Sequence, residues 1–243
     1  MFAGHGLLAG CGLRLPVGPP GGAAPLTARP QAEPTAALPA PGTRPLDLGV
    51  ERPPLLHVPP GHAAVSAVPL VVALHGAGGN AETGLAVLGG LADERGLLVL
   101  APASRGSTWD AVTGRSGEDA ALLDRALARV FWTVPVDPGR TAVAGFSDGA
   151  SYALGLGLAN GDLFTRVVAF SPGFVPGASR EGRPAVFVSH GDADEVLPVE
   201  QTSRRIVPAL RDDGYDVTYR EFAGGHAVPH EVAVAAVDWL GAG

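Results

Sequence analysis

The sequence predicts an α/β domain in which helices cover both faces of a mostly parallel, twisted β-sheet. Short runs that are apolar at nearly every position, such as residues 68–74, alternate along the chain with longer segments of helical spacing. A strand that is apolar on both faces is buried on both faces, as strands are in parallel sheets covered by helices. The chain has 243 residues, of which 46% are hydrophobic, so it can build one domain with a sizeable core.

Each predicted strand is a short apolar run, except the last, in which apolar and polar residues alternate. The strands are residues 55–58, 68–74, 97–101, 140–146, 166–170, 185–189 and 216–222. Between them, and after the last, the spacing of apolar residues predicts helices. The helices are residues 82–95, 118–130, 148–158, 202–211 and 231–240. Gly96 closes the first helix, and the second has its acidic residues early and its arginines late, as the helix dipole favours.

Residues 1–53 are rich in proline, glycine and alanine and have no helical or strand period. Proline blocks regular structure, so we predict a tail, or an extended arm that lies over a domain formed by residues 54–243. Within this segment, the run Leu8-Ala9-Gly10-Cys11 has the form of a bacterial lipoprotein cleavage site, but no basic residue and no long apolar stretch precede it. We therefore expect either a cytoplasmic or a secreted protein.

Composition excludes several functional classes. The net charge is −7, and the 17 basic residues form no cluster, whereas binding to a nucleic-acid backbone needs clustered positive charge. The one cysteine, Cys11, rules out an internal disulfide framework and a cysteine-based zinc site. No apolar run reaches the length of about 18 residues that a transmembrane segment needs.

The strongest chemical signal is the pentapeptide Gly145-Phe146-Ser147-Asp148-Gly149, which matches the pattern G-x-S-x-G. It lies between a predicted buried strand and a predicted helix, which is the context that the pattern requires. A sharp strand-to-helix turn lifts the serine hydroxyl off the sheet, and the flanking glycines prevent collisions in that turn. The helix N-terminus also favours negative charge at this point. We predict that Ser147 is a nucleophile; the alternative is a glycine-rich turn with an incidental serine.

A serine hydroxyl needs a base, and in this context the order along the chain is serine, acid, histidine. His226 follows the last predicted strand and two glycines, at the carboxyl end of the sheet, so we predict that it is the base. His230 lies at the start of the final helix, where a surface histidine is the simpler interpretation. His190 ends a predicted strand, and we interpret it as shaping the turn that follows.

The acid is expected between Ser147 and His226, in the loop after the strand at residues 185–189. Asp194 lies deeper in this loop and is our prediction, with Asp192 as the alternative. A turn-forming aspartate is the structural interpretation of either residue. An acid in this place would hold the tautomer of the imidazole and stabilise the imidazolium.

Two backbone N–H groups are candidates for holding negative charge on a substrate oxygen. One belongs to Asp148, directly after the predicted nucleophile, and the other to Ala77, in residues 75–80. We refer to residues 75–80 as the glycine loop, because glycines such as Gly76 let its backbone approach a substrate closely. A phosphate cradle is the competing interpretation, but the chain contains no lysine and lacks the P-loop pattern.

Two aromatic residues are candidate walls of a substrate pocket. Trp109 follows the strand at residues 97–101, with a buried structural tryptophan as the alternative interpretation. Phe174, in Ser171-Pro172-Gly173-Phe174, is the second candidate. The histidines in or beside the proline-rich segment are assigned no role: His5, His57 and His62.

Together these features resemble the α/β-hydrolase superfamily, and most of all its small, lidless esterases: phospholipase/carboxylesterases, dienelactone hydrolases, and polyhydroxyalkanoate-depolymerase-like or feruloyl esterases. The resemblance covers residues 55–240 and rests on Leu74-His75-Gly76, the G-x-S-x-G pentapeptide, the loop of residues 190–198, and Gly224-Gly225-His226. It implies an α/β-hydrolase fold with Ser147 as nucleophile, Asp194 as acid, His226 as base, and the N–H groups of Ala77 and Asp148 as oxyanion donors. Asp148 and the N-terminal segment depart from the family's pattern, which leaves the substrate preference open.

We therefore expect a serine carboxylesterase that hydrolyses short-chain or aryl carboxylic esters through an acyl-enzyme intermediate and needs no metal or organic cofactor. The short connections leave no space for a large lid, so long-chain lipase activity is not expected. The alternatives are a polyester depolymerase of polyhydroxyalkanoate or terephthalate type, a small-substrate serine peptidase or amidase, and a catalytically inactive binding protein. The expected partners are small-molecule or polymeric esters, and the oligomeric state is left open.

Overall fold

The centre of the molecule is a β-sheet, seen in a computed structural model that describes residues 24–31, 39–61, 67–88, 90–114, 117–177 and 179–241. In these residues its strands are β1 (Gly42–Pro45), β2 (Leu55–Val58), β3 (Val68–Leu74), β4 (Leu98–Ala101), β5 (Val136–Phe146), β6 (Arg166–Phe170), β7 (Ala185–Gly191) and β8 (Val217–Phe222). Their order across the sheet is β1-β2-β4-β3-β5-β6-β7-β8. Pairs β1–β2 and β2–β4 are antiparallel and all other pairs are parallel, as the apolar runs predict.

Helices cover both faces of the sheet. They are α1 (Ala81–Ala86), α2 (Leu91–Glu94), α3 (Glu118–Thr133), α4 (Asp148–Ala159), α5 (Ser203–Asp212) and α6 (His230–Trp239). Apolar side chains of α3, α4 and α5 pack into one buried cluster, and those of α2 and α6 pack into a second. Strand β3 contributes alternate residues to each: Leu70 and Val72 face the first cluster, whereas Val71 and Ala73 face the second. None of these helices has the length and apolar character that crossing a membrane requires.

The predicted helix over residues 82–95 is in fact two short helices, α1 and α2. The sequence has consecutive glycines at 89 and 90, and Gly90 is the N-cap of α2. Each glycine inside a helix costs about 1 kcal/mol relative to alanine, which explains why one continuous helix does not form here. Gly96 ends the segment with φ +63°, as its position predicts.

The segment before residue 54 contains a strand that the sequence analysis does not predict. Strand β1 pairs antiparallel with β2 at the edge of the sheet, where Pro45 is tolerated because an edge strand needs fewer backbone donors. Leu26 and Leu46 are buried against the domain. The N–H of Leu26 donates to Oδ1 of the buried Asn160 at 2.6 Å. Residues Leu8-Ala9-Gly10-Cys11, His5 and His62 lie outside the described residues.

The parallel strands bring several loops to one edge of the sheet, because the carboxyl ends of parallel strands share an edge. The glycine loop follows β3, and residues 102–114, which we call the tryptophan loop, follow β4. Ser147 follows β5, Asp194 follows β7 and His226 follows β8. The fold therefore places every predicted reactive side chain at this edge.

Candidate active site

Ser147 occupies a tight turn between β5 and α4. Its backbone has φ 57° and ψ −121°, a conformation that residues other than glycine rarely adopt. A Cβ atom at Gly145 would lie 2.2 Å from the carbonyl oxygen of Gly149. A Cβ atom at Gly149 would lie 2.4 Å from the carbonyl oxygens of Leu74 and His75. The turn thus needs both glycines, and it presses Ser147 against the start of the glycine loop.

Gly149→Ala is expected to lower the free energy of unfolding by about 3 kcal/mol or more, since its methyl group would collide with backbone that cannot move aside. The matched control is Gly155→Ala on the same helix, where the new Cβ would lie 3.1 Å from the Pro176 ring. The Pro176 ring would have to move by only a few tenths of an ångström, and alanine favours helix, so that change is expected to stay within about 1 kcal/mol. Urea unfolding monitored by circular dichroism measures both; equal unfolding midpoints would refute the close backbone approach at Gly149.

Three side chains from three loops form a hydrogen-bonded chain. The His226 Nε2 atom lies 2.9 Å from Ser147 Oγ, and its Nδ1 atom lies 2.6 Å from Asp194 Oδ2. A carboxylate can only accept, so Nδ1 carries the proton and Nε2 is left to accept from the serine hydroxyl. The Phe146 ring packs against the imidazole with centroids 4.7 Å apart, which helps to fix its orientation. The structure therefore brings together the serine, acid and histidine that the sequence predicts.

Asp194 is built to stay ionised although it is buried. Burial by itself would raise the pKa of its carboxyl group. The N–H groups of Val196 and Leu197 donate to Oδ1 at 2.9 and 2.8 Å, and the His226 side chain donates to Oδ2. Together these donors hold the pKa of Asp194 below its ordinary value. Asp192, the alternative acid, is exposed and accepts only the N–H of Gly224 within the described residues, at 3.1 Å.

The two other histidines play different structural parts. His190 is fully buried, and burial lowers its pKa below the ordinary value, so the ring is neutral. Its Nε2–H faces the carbonyl oxygen of Leu197 at 2.8 Å and Asp194 Oδ2 at 3.2 Å, and its Nδ1 accepts from Ser203 Oγ at 2.7 Å. It thereby braces the loop that carries Asp194. His230 is exposed at the first position of α6 and makes no side-chain hydrogen bond within the described residues.

His75, the first residue of the glycine loop, joins this loop to the tryptophan loop. This ring is buried, and burial lowers its pKa below the ordinary value. In the neutral form Nδ1–H donates to the carbonyl oxygen of Gly76 at 2.7 Å, and Nε2 accepts the N–H of Ser104 at 3.0 Å. The sequence analysis quotes His75 as part of a motif but assigns it no role. The long-range contact with Ser104 is what gives it one.

Two backbone N–H groups remain available beside Ser147. Within the described residues, neither the N–H of Ala77 nor that of Asp148 donates a hydrogen bond to another protein group. Asp148 is the first residue of α4, so its N–H has no partner within the helix. Gly76 lies directly over the serine, because a Cβ atom there would be 3.4 Å from Ser147 Cβ. A negatively charged oxygen bound above Ser147 could accept from both groups.

Trp109 does not form a wall of the site, which corrects one sequence prediction. Its side chain is 1% exposed, its Nε1–H donates to the carbonyl oxygen of His75 at 2.9 Å, and its ring stacks on Tyr152. The alternative interpretation, a buried structural tryptophan, is therefore the correct one. The sequence could not decide between a pocket wall and a buried structural residue, because a tryptophan at this place in the loop fits either interpretation. Phe174 is half-buried after β6, with its N–H 3.5 Å from Ser151 Oγ, one turn of α4 beyond Ser147.

The surroundings of Ser147 differ in polarity between the two sides of the sheet edge. On the β4 side, Thr108 Oγ1 donates to Asp148 Oδ2 at 2.7 Å. Thr108 also borders an open cleft of about 630 Å³ whose lining is mostly polar: Arg105, Gly106, Ser107, Thr108, Asp110, Thr113, Gly114, Glu118 and Asp119. On the β7 side, Val196 is 65% exposed beside Asp194. Neither residue could be singled out from the sequence, because Thr108 belongs to no motif and Val196 is at a variable position of the motif in the loop that carries Asp194.

The sequence matches known proteins over much of the predicted domain. The family model described as Phospholipase/Carboxylesterase matches residues 118–240, about half of the chain. A protein of Aspergillus flavus named "Probable feruloyl esterase C" is 29% identical over 157 residues, which is 60% of this chain and 56% of that protein. The match thus spans little more than half the length of this curated relative.

Solved structures agree on the fold. Esterase PE8 is 25% identical, with a TM-score of 0.61, and the match covers 76% of this chain and 95% of that one. An acetyl xylan esterase from Aspergillus awamori is 15% identical with a TM-score of 0.62, covering 83% and 100% of the two chains; at that identity it shows the fold alone. The sheet, the serine turn and the family match lead to one conclusion: this chain has the α/β-hydrolase fold and belongs to the phospholipase/carboxylesterase family.

Proposed function

We propose that the protein is a serine esterase that hydrolyses carboxylic esters through an acyl-enzyme intermediate. The observation that carries the proposal is the hydrogen-bonded chain from Ser147 through His226 to the buried Asp194. A serine hydroxyl is a weak nucleophile by itself, and a histidine within hydrogen-bond reach is the usual means of activating it. The family match and the name of the Aspergillus flavus relative support the same reaction.

Each group has a distinct part in the proposed reaction. Ser147 Oγ attacks the ester carbonyl while His226 Nε2 takes its proton, and the imidazolium that forms is stabilised by the Asp194 carboxylate. The carbonyl oxygen becomes an oxyanion held by the N–H groups of Ala77 and Asp148. The imidazolium then protonates the departing alcohol. Water, activated by the same histidine, releases the acid and restores Ser147.

The surroundings of Ser147 favour short-chain or aryl esters. The reactive serine is half-exposed, and the described connections at this edge are loops without a helical lid. The half-buried Phe174 and the exposed Val196 offer apolar contact for a small acyl or aryl group. Because the Aspergillus flavus relative is named a feruloyl esterase, feruloyl esters are the first aryl esters to test. The buried Trp109 supplies no aromatic clamp for a polyester chain.

The experiment is a substrate panel assayed with the full chain. The panel contains p-nitrophenyl acetate, butyrate, octanoate and palmitate, methyl ferulate, and the p-nitroanilide that matches the butyrate ester. We expect the highest kcat/KM on acetate, butyrate or ferulate, and much lower values on palmitate and on the anilide. A preference for palmitate would refute the proposed preference for short-chain or aryl esters. Faster hydrolysis of the anilide would favour a peptidase or amidase, and no hydrolysis at all would favour an inactive binding protein.

A further inference from the structure

We infer that Arg52 is a positioning residue that holds the glycine loop in the geometry needed for oxyanion binding. The inference rests on the proposed function, since the oxyanion donor at Ala77 belongs to that loop. Arg52 lies before the domain boundary predicted from the sequence, in the segment between β1 and β2. It belongs to no motif and is far along the chain from the loops that it contacts.

The Arg52 guanidinium joins two loops at the site. Its Nη2 donates to the carbonyl oxygen of Gly79, in the glycine loop, at 2.7 Å. Its Nη1 donates to the carbonyl oxygens of Ser104 and Gly106, in the tryptophan loop, at 2.6 and 3.2 Å. The side chain is half-buried, and hydrogen bonds from a charged donor are stronger than those between neutral groups. In the part of the chain that the structure describes, no other side chain from outside the two loops bonds to both.

The contacts of Arg52 complete a set of links between the same two loops. The N–H of Gly78 donates to the carbonyl oxygen of Ser107 at 2.6 Å. The Nε2 atom of His75 accepts the N–H of Ser104. These links lie within the loops, whereas Arg52 bridges them from the N-terminal segment. The position of Ala77, between Gly76 and Gly78, is therefore set partly by a residue that the sequence places outside the catalytic domain.

Loss of this bridge would act on the transition state more than on substrate binding. A displacement of about 1 Å in a group that holds the transition state can cost about 100-fold in rate. Removing a whole oxyanion donor costs about 100- to 1000-fold. Because the other loop links remain, we expect Arg52→Gln to lower kcat about 10- to 100-fold and to change KM less than twofold. Lysine offers a point charge instead of a fork, so Arg52→Lys should lose at least about threefold in kcat.

The matched control is Arg125→Gln. Arg125 Nη2 donates to the carbonyl oxygen of Leu48 at 2.6 Å, so it anchors the same N-terminal segment to α3 without touching the glycine loop. If Arg52 acted only by anchoring the segment, both variants would behave alike. We expect Arg125→Gln to keep kcat within twofold of the wild type.

The test combines kinetics on p-nitrophenyl butyrate with inhibition by a trifluoromethyl ketone, whose adduct with Ser147 carries an oxyanion. For Arg52→Gln, the inhibition constant should rise by the same factor by which kcat/KM falls. An unchanged inhibition constant, or equal kcat values in Arg52→Gln and Arg125→Gln, would overturn the inference. If Arg52→Gln does not fold, Arg52→Lys decides, and a kcat within threefold of the wild type would overturn it.

A readout independent of activity separates this inference from the proposed function. If the wild type hydrolyses no ester, the proposed function fails, but the bridge is still measured by amide hydrogen exchange. Peptides that contain Gly78 and Gly79 should exchange faster in Arg52→Gln than in Arg125→Gln or the wild type. Identical exchange in all three proteins would show that Arg52 does not hold the loop.

Discussion

Ser147→Ala is expected to lower kcat/KM for p-nitrophenyl butyrate by about 10⁴-fold or more, because no other group within the site replaces the attacking oxygen. Loss of the nucleophile in such a triad costs about 10⁶ in kcat where it has been measured in another serine hydrolase. Alanine and serine both carry a Cβ atom and so meet the same steric restriction at φ 57°, and the variant should fold as the wild type does. Steady-state hydrolysis and thermal unfolding of the same samples provide the measurement.

Ser151→Ala is the matched control for this change. Ser151 lies one turn further along α4, and its hydroxyl accepts the N–H of Gly173 at 3.0 Å instead of facing His226. We expect this variant to keep kcat/KM within about tenfold, since it loses only supporting hydrogen bonds: those from the N–H groups of Gly173 and Phe174, and one to the Ser147 carbonyl oxygen at 3.4 Å. If Ser147→Ala hydrolysed the ester within tenfold of the wild type, Ser147 would not be the nucleophile.

Asp194→Asn is expected to lower kcat by about 10³- to 10⁴-fold, because an amide cannot hold the imidazole in the required tautomer or stabilise its cation. The asparagine Oδ1 atom can still accept the N–H groups of Val196 and Leu197, so the loop should keep its shape. The loss of kcat should therefore exceed any loss of stability, which arises at Oδ2, where an amide NH2 would face the N–H groups of His226 and His190.

The control for Asp194→Asn is Asp192→Asn in the same loop. Asp192 is exposed and bonds to Gly224, and an asparagine oxygen can accept that N–H equally well. We expect this variant to stay within about threefold of the wild type, as is usual for surface changes that keep a hydrogen bond. A larger loss of kcat in Asp192→Asn than in Asp194→Asn would mean that the acid has been assigned to the wrong residue.

The sheet could be predicted from the sequence because its central strands are apolar on both faces and each is followed by a loop or helix with clear signals. The predicted strand at residues 166–170 has the same bounds as β6, for example. Strand β1 could not be predicted, since it is a short edge strand in a proline-rich segment and its stability comes from pairing with β2. The predicted helix at residues 82–95 is divided because glycine in a helix costs free energy relative to alanine. The spacing of apolar residues, from which the helix was predicted, does not show this cost.

The positions of Ser147, Asp194 and His226 could be predicted because each follows a strand and the order along the chain is characteristic. Interactions between segments that are distant along the chain could not be predicted. Arg52 contacts backbone carbonyls, and a carbonyl acceptor carries no side-chain signal in the sequence. The burial of Trp109 depends on packing against Tyr152 and on a bond to the His75 carbonyl oxygen, neither of which local pattern reveals.

The central claim is that His226 activates Ser147 as a nucleophile, and covalent labelling tests it most directly. The wild type, Ser147→Ala and His226→Ala proteins are treated with a fluorophosphonate, and the modified residue is located by mass spectrometry. We predict one adduct on Ser147 in the wild type and no adduct in Ser147→Ala. In His226→Ala, labelling should be at least about 100-fold slower, because a positioned general base contributes a factor of about this size to the rate. Labelling of Ser151 or Ser171 instead, or equal labelling rates in wild type and His226→Ala, would contradict the account.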